Sequence, residues 1–326
     1  MKRACKINKT VLVMMTLAAV AIAFKAPAAW AQGISPVVWS ASPVSFDNGQ
    51  APSVAVSGWF AVEVHEGASG TLWYSTGQIQ GSTVVWTDST QYANGYAPSV
   101  AISGDTVIEV HQAGTGFGAL WNIDGQMTPT GGVSWGSTSQ QYDNGLAPSV
   151  AADGLSVVEV HQGGSGVGPL WYHTGQLLSG TVEWSATPSQ YDTGAAPSVA
   201  VAGSTVIEVH QTETGEGPLY YHAAEIRANG SVVWAAKDFQ YGSGLAPSVS
   251  ASGPTVIEAH QVVSGAGALW YQTAGLQSSG TVKFAKKPLE YDSGEAPRVA
   301  VAGAMILEVH DESSGSGPIY YHTAAY

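Results

Sequence analysis

The 326-residue sequence contains a single cysteine, Cys5, and only 11 lysines and arginines against 24 aspartates and glutamates. That cysteine lies in an N-terminal segment that reads as an export signal: Lys2, Arg3, Lys6 and Lys9, an apolar run over 11–24, then small residues around Ala29-Trp30-Ala31. Cleavage is expected after Ala31, giving a secreted, extracellular or periplasmic, domain over 32–326. This domain has no cysteine, so no disulfide can hold it together even in an oxidising compartment. Because Cys5 precedes the apolar run, it also argues against a lipoprotein anchor.

The shortage of positive charge deepens on export. Lys2, Arg3, Lys6, Lys9 and Lys25 lie in the first 31 positions and no acidic residue does, so six basic residues remain against 24 acidic ones, a net charge of −18. A domain that acidic repels nucleic acid and anionic lipid. After the signal no apolar run approaches the roughly 20 residues of a spanning helix, so membrane insertion is not expected. Helical periodicity is also missing. Apolar stretches are short, rich in Val, Ile, Tyr and Trp, and separated by Gly, Ser, Asn and Pro, which reads as strands and turns.

What the sequence does have is repetition. The phrase Tyr-Asp-x-Gly-x-Ala-Pro-Ser-Val-Ala recurs, with substitutions, from Phe46, Tyr92, Tyr142, Tyr191, Tyr241 and Tyr291, every 46 to 50 residues. Periods of this size mark propellers and arrays. Each repeat divides into four apolar stretches, so the expected fold is all-β: a six-bladed β-propeller of four-stranded antiparallel blades forming one domain. The fourth stretch carries an aromatic at Trp86, Trp135, Trp184, Trp234 and Phe284, but the sixth repeat reaches Tyr326 without one. The stretch Pro36–Ser40, with Trp39, supplies it at the other end, so the N-terminal strand of the mature chain is expected to complete the last blade and remove its free edges. The Asp-x-Gly of each phrase is read as turn chemistry rather than a calcium site. The proline that follows is placed at the start of a strand.

The second stretch places a carboxylate and an imidazole two residues apart in every repeat: Glu63 and His65, Glu109 and His111, Glu159 and His161, Glu208 and His210, Glu258 and His260, Glu308 and His310. Alternation along a strand puts both members of a pair on one face, about 7 Å apart. Three readings remain open: a buried ladder that fixes each blade against the next, the polar half of an inter-blade ligand pocket, or metal binding, for which two ligands per site are too few. The third stretch carries paired aromatics led by Trp73, Trp171, Tyr220, Trp270 and Tyr320, with Trp121-Asn122 as the departure. Alternation puts the two members on opposite faces, so either both are blade core or one packs while the other faces the side of the Glu/His pair, where a flat ring beside hydrogen-bonding groups suits a sugar.

The Ser/Thr-Gly-x-Gly between second and third stretches precedes no helix and has no basic neighbour, so it is a tight hairpin rather than a phosphate cradle. The first repeat is two residues shorter here, which marks its site as degenerate. Trp59-Phe60 replaces a polar turn and is either an exposed aromatic tip or a packed turn. No catalytic constellation stands out, because every candidate comes in six near-copies. No metal and no cofactor are expected.

In its tandem blades of about 50 residues, aromatic third strand and permuted last blade, the chain resembles the secreted β-propeller lectins. In the fucose-binding members of that group an arginine, a glutamate and an aromatic hold each sugar; this chain repeats the glutamate and the aromatic, and His65 and its counterparts stand where a donor is needed. The resemblance implies multivalent binding of glycans or glycoconjugates at five or six equivalent inter-blade sites. The alternatives are a non-catalytic propeller that binds protein on one face, with the Glu/His pairs structural, and a secreted glycan-acting hydrolase.

Overall fold

The computed structural model describes residues 37–326 apart from Ser278 and Ser314; the expected signal and its cleavage point lie outside them. The described residues form 25 strands, all paired antiparallel, and include no helix. There is accordingly no helix long and apolar enough to cross a membrane among them.

One pattern of pairing recurs in every repeat. In the third repeat the strand Gln140–Asp153 hydrogen-bonds through its second half to Ser156–Gln162, which pairs with Gly168–Leu178. The far edge of that third strand is shared. Its C-terminal end carries the short strand Thr181–Trp184, and its N-terminal end carries the first half of the next long strand, Ser189–Ala202. Each long strand is thus the outermost strand of one sheet and the innermost strand of the next.

This corrects two local expectations. Asp143-Asn144-Gly145 is not a turn, and Pro148 does not begin a strand; both lie within the continuous strand Gln140–Asp153. The chain changes sheets at a register shift between Leu146 and Ser149, where Ala147 has a φ of 46°. The equivalent alanines, Ala51, Ala97, Ala196, Ala246 and Ala296, have φ between 47° and 50°. A left-handed alanine at a bulge redirects the strand, and the proline after it is tolerated because a bulge leaves the ladder locally unpaired.

The second strands are buried on both faces, as in Thr106–Gln112, where every residue is buried. The reason is that the core lies between successive sheets. One cluster joins Ile207, Val209 and Tyr221 of the fourth repeat to Val249, Val256 and Val282 of the fifth. Equivalent clusters join the other neighbours, including the sixth repeat (Leu307, Val309, Tyr321) and the first (Val54, Ile79, Val84). The ends of the chain meet there: Trp39 pairs with Ala324, and Ser45 with Tyr320.

Candidate functional site

The Glu/His pairs sit in these junctions. All six glutamates are fully buried, and the six histidines are at most 3% exposed. Each imidazole Nδ1 lies 2.9–3.2 Å from the carboxylate two residues before it. Burial alone would lower the pKa of each of these imidazoles, but the charge and hydrogen bond of its glutamate outweigh burial and raise it above the ordinary histidine value.

The long strand of the preceding sheet supplies the rest of the junction. Its aromatic stacks on the fourth-strand aromatic of the next sheet, as Tyr191 does on Trp234 at 4.2 Å and 15°. Where the geometry is best the same phenol donates to the buried glutamate: Tyr241 to Glu258 and Tyr291 to Glu308, both at 3.0 Å. Two residues past the Asp of the phrase, a glycine provides the seat for the imidazole. A Cβ on Gly145 would stand 2.5 Å from Cδ2 of His161, and one on Gly194 would stand 2.6 Å from Cδ2 of His210. The glycine of Asp-x-Gly is therefore there for the ring across the junction, while its strand stays extended.

The aspartate of the phrase also reaches across. Asp143 accepts from Nε2 of His173 at 2.8 Å, Asp292 from Nε2 of His322 at 2.7 Å, and Asp192 lies 2.8 Å from Nδ1 of His222. In the two junctions where the aspartate is Ala93 or Gly242, the facing third-strand residue is Ile123 or Gln272 instead of histidine. No junction sets a histidine there without the aspartate, because an unpartnered buried imidazole would be costly; the reverse occurs in the first junction, where Asp47 faces Ser75 at 3.4 Å. That joint change is visible in the sequence once the third strands are aligned.

A further clamp follows each Glu-x-His. Gln112, Gln162, Gln211 and Gln261 accept the backbone N–H of the bulge alanine in the next repeat at 2.6–2.9 Å. Their amide nitrogens turn back to carbonyls of their own hairpin, as Gln162 does to Gly166. Glu66 and Asp311 take the same bond to Ala97 and Ala51.

The surface side of the junction is different. Trp73, Trp121, Trp171, Tyr220, Trp270 and Tyr320 are each half-buried. Each stands directly across from its histidine on the second strand. On the other side it faces an exposed polar residue of the outermost strand: Gln91, Gln141, Gln190, Gln240, Glu290 and Ser45 respectively. Residues directly opposite in a ladder share a face. The row therefore runs from a buried imidazole through a half-exposed ring to an exposed amide, carboxylate or hydroxyl. Tyr220 lies flat over His210 at 6.1 Å and 15°, and Tyr320 over His310 at 5.7 Å and 12°. The other member is core in Tyr221, Tyr271 and Tyr321, with the Tyr271 hydroxyl on the Val37 carbonyl, whereas Tyr74 and Tyr172 are half-buried against the core.

Of the expected site residues, the structure gathers aromatic, histidine and glutamate of each repeat on one face, with only the aromatic reaching solvent. The polar residue beside it was missed by the sequence reading, although the signal is there: a Gln precedes the Tyr of the phrase in four repeats. The two arginines that follow the expected signal, Arg227 and Arg298, lie apart. Arg227 is exposed in a turn, and Arg298 lines an axial cavity of about 140 Å³ among the alanine-proline-serine segments of the inner strands.

No family model matches this sequence, and no curated protein is similar to it. Solved structures are similar in fold. YjhT superposes with a TM-score of 0.57 at 10% identity, over 84% of this chain and 94% of that one. A sialidase of Trypanosoma rangeli gives 0.54 at 8% identity over 90% of this chain, which spans 60% of the sialidase. AofleA from Arthrobotrys oligospora gives 0.54 at 10% identity, over 89% of this chain and 86% of that one. The chain has a β-propeller fold.

Proposed function

We propose that residues 32–326 form one exported six-bladed propeller, closed by pairing of its two ends, that binds glycans at several shallow equivalent sites. The observation that carries this reading is the repeated half-exposed aromatic with an exposed polar residue in register beside it. A sugar stacks its C–H face on such a ring while its hydroxyls use the neighbouring amide. The buried histidine and glutamate act beneath the ring as a rigid base, since their own atoms have no surface for a ligand. Individually weak sites suit this design, because simultaneous engagement raises avidity by about 10² to 10⁴.

The test is calorimetric titration with the best ligand from a glycan array. Five or six sites per chain are expected, with Trp171→Ala removing about one of them at nearly unchanged thermal stability. No glycan binding at millimolar sugar would refute the reading.

A second reading, a secreted glycan-acting hydrolase, is favoured by the sialidases among proteins of similar fold. The burial of every Glu/His pair weighs against it, as does the separation of Arg227 from Arg298. Turnover of fluorogenic sialosides or other glycosides would favour it over the first.

A further inference from the structure

The fourth repeat departs from the others in a way that the glycan reading does not use. A ring nitrogen of His210 and one carboxylate oxygen from each of Asp192 and Asp238 lie within 4.8 Å of one another. Nδ1 of His210 is taken by Glu208 at 3.0 Å, so the nitrogen facing the two aspartates is Nε2. That atom is buried and has no hydrogen-bond partner. In the third and sixth repeats Nε2 of the equivalent histidine approaches the equivalent aspartate directly, His161 to Asp143 at 3.4 Å and His310 to Asp292 at 3.6 Å.

Asp238 belongs to this repeat alone. Counting back from the polar residue beside each surface aromatic, the same position holds Ser89, Ser139, Pro188, Pro288 and Pro43 elsewhere. Among the described residues Asp238 makes no hydrogen bond and no ion pair. Asp192 is oriented by two partners, His222 on one oxygen and the N–H of Thr193 on the other. An imidazole whose Nδ1–H is given to a carboxylate presents a bare lone pair at Nε2, the arrangement that orients a metal-ligating histidine. Two carboxylates facing Nε2 call for positive charge between them, which either a proton on that nitrogen or a metal ion supplies.

We propose that Asp192, His210 and Asp238 form a divalent transition-metal site in the junction between the third and fourth repeats, suited to Zn²⁺ with water in the remaining position. One imidazole with two carboxylates is a donor set that zinc accepts in tetrahedral sites. The imidazole disfavours the harder Ca²⁺ and Mg²⁺, which take oxygen ligands. Ligand bonds of about 2 Å require the two half-buried aspartates to close slightly on the fixed histidine.

The test uses the full protein stripped with a chelator and titrated with ZnCl2 by calorimetry near pH 7.5. One Zn²⁺ per chain is expected, with Ca²⁺ and Mg²⁺ failing to compete at a hundredfold excess. Asp238→Asn should weaken zinc binding at least tenfold and leave the melting temperature of the stripped protein unchanged, because the wild-type carboxylate holds nothing in the metal-free fold. His210→Ala removes a buried ring and is informative only beside that surface variant. Absence of stoichiometric binding up to millimolar Zn²⁺, or binding that Asp238→Asn leaves intact, would overturn the site.

Discussion

The junction where the sixth repeat meets the first uses the same parts as the five internal junctions, but three of those parts are changed. Internally, a serine hydroxyl on each inner strand accepts the next repeat's backbone N–H, as Ser198 does from Val249 at 3.1 Å. At the junction of the ends this serine is Arg298, the clamping residue is Asp311 where four internal junctions use glutamine and one uses Glu66, and the stacking tyrosine is Phe46. The clamp survives, since Asp311 accepts the Ala51 N–H at 3.0 Å, and so does the stack, with Phe46 on Trp86 at 4.5 Å and 19°. What changes is the charge. Asp311 keeps one buried oxygen without a partner, Arg298 brings a charge to the axial cavity, and Phe46 has no phenol to offer Glu63, a bond made internally by Tyr241 and Tyr291. The interlock tolerates replacement of a polar group by another acceptor of similar reach, and pays most where a charge is left half-matched.

The comparison is broken most severely at the buried glutamates. Glu258→Ala should destabilise the protein by about 3–5 kcal/mol, because it breaks a buried Glu/His pair and leaves the Tyr241 hydroxyl without its acceptor. Glu63→Ala should cost clearly less, since only His65 depends on that carboxylate and Asp47 already repels it. Urea denaturation of both variants checks the order, and equal losses would show that the tyrosine bond adds nothing.

Asp311 gives the next effect and a sign that depends on pH. Burial raises its pKa to about 7, against the opposing pull of the Ala51 N–H and of Arg298. A raised carboxyl favours folding below the unfolded value near 4, and that contribution is lost as pH climbs through 7. Asp311→Asn should therefore stabilise the fold at pH 8, by on the order of 1–3 kcal/mol, and change it little at pH 4. Melting curves at the two pH values decide. The smallest effect is expected from Phe46→Tyr, which restores the missing phenol opposite Glu63. A gain of about 0.5–1.5 kcal/mol is expected for one added hydrogen bond, and a loss would mean that the phenol does not fit beside Asp47.

Much of this architecture was legible in the residues. The spacing of the phrase, the alternation of Val and Ile, and the stray aromatic at Trp39 pointed to strands, their order and the pairing of the two ends. The Asp-x-Gly was misread because its residue types are those of a turn, whereas here the glycine is needed by an imidazole from another strand. The surface glutamines were passed over because a polar residue before a tyrosine has no local signature; its place beside an aromatic exists only once the outermost strand is laid against the third. Asp238 was equally silent, being one aspartate in an acidic chain until the fold carries it to His210.

The sequence by itself determined the all-β repeat and the recurrence of Glu with His, because these follow from strand periodicity and from copies compared within one chain. Only the tertiary structure decided what fills the gap between repeats. A long strand that serves two sheets brings tyrosine, aspartate and glycine at the edge of one sheet against glutamate and histidine of the next sheet. The pairs are sealed there because neighbouring sheets pack against both faces of the second strand, which leaves the half-exposed ring above them as the part that meets solvent.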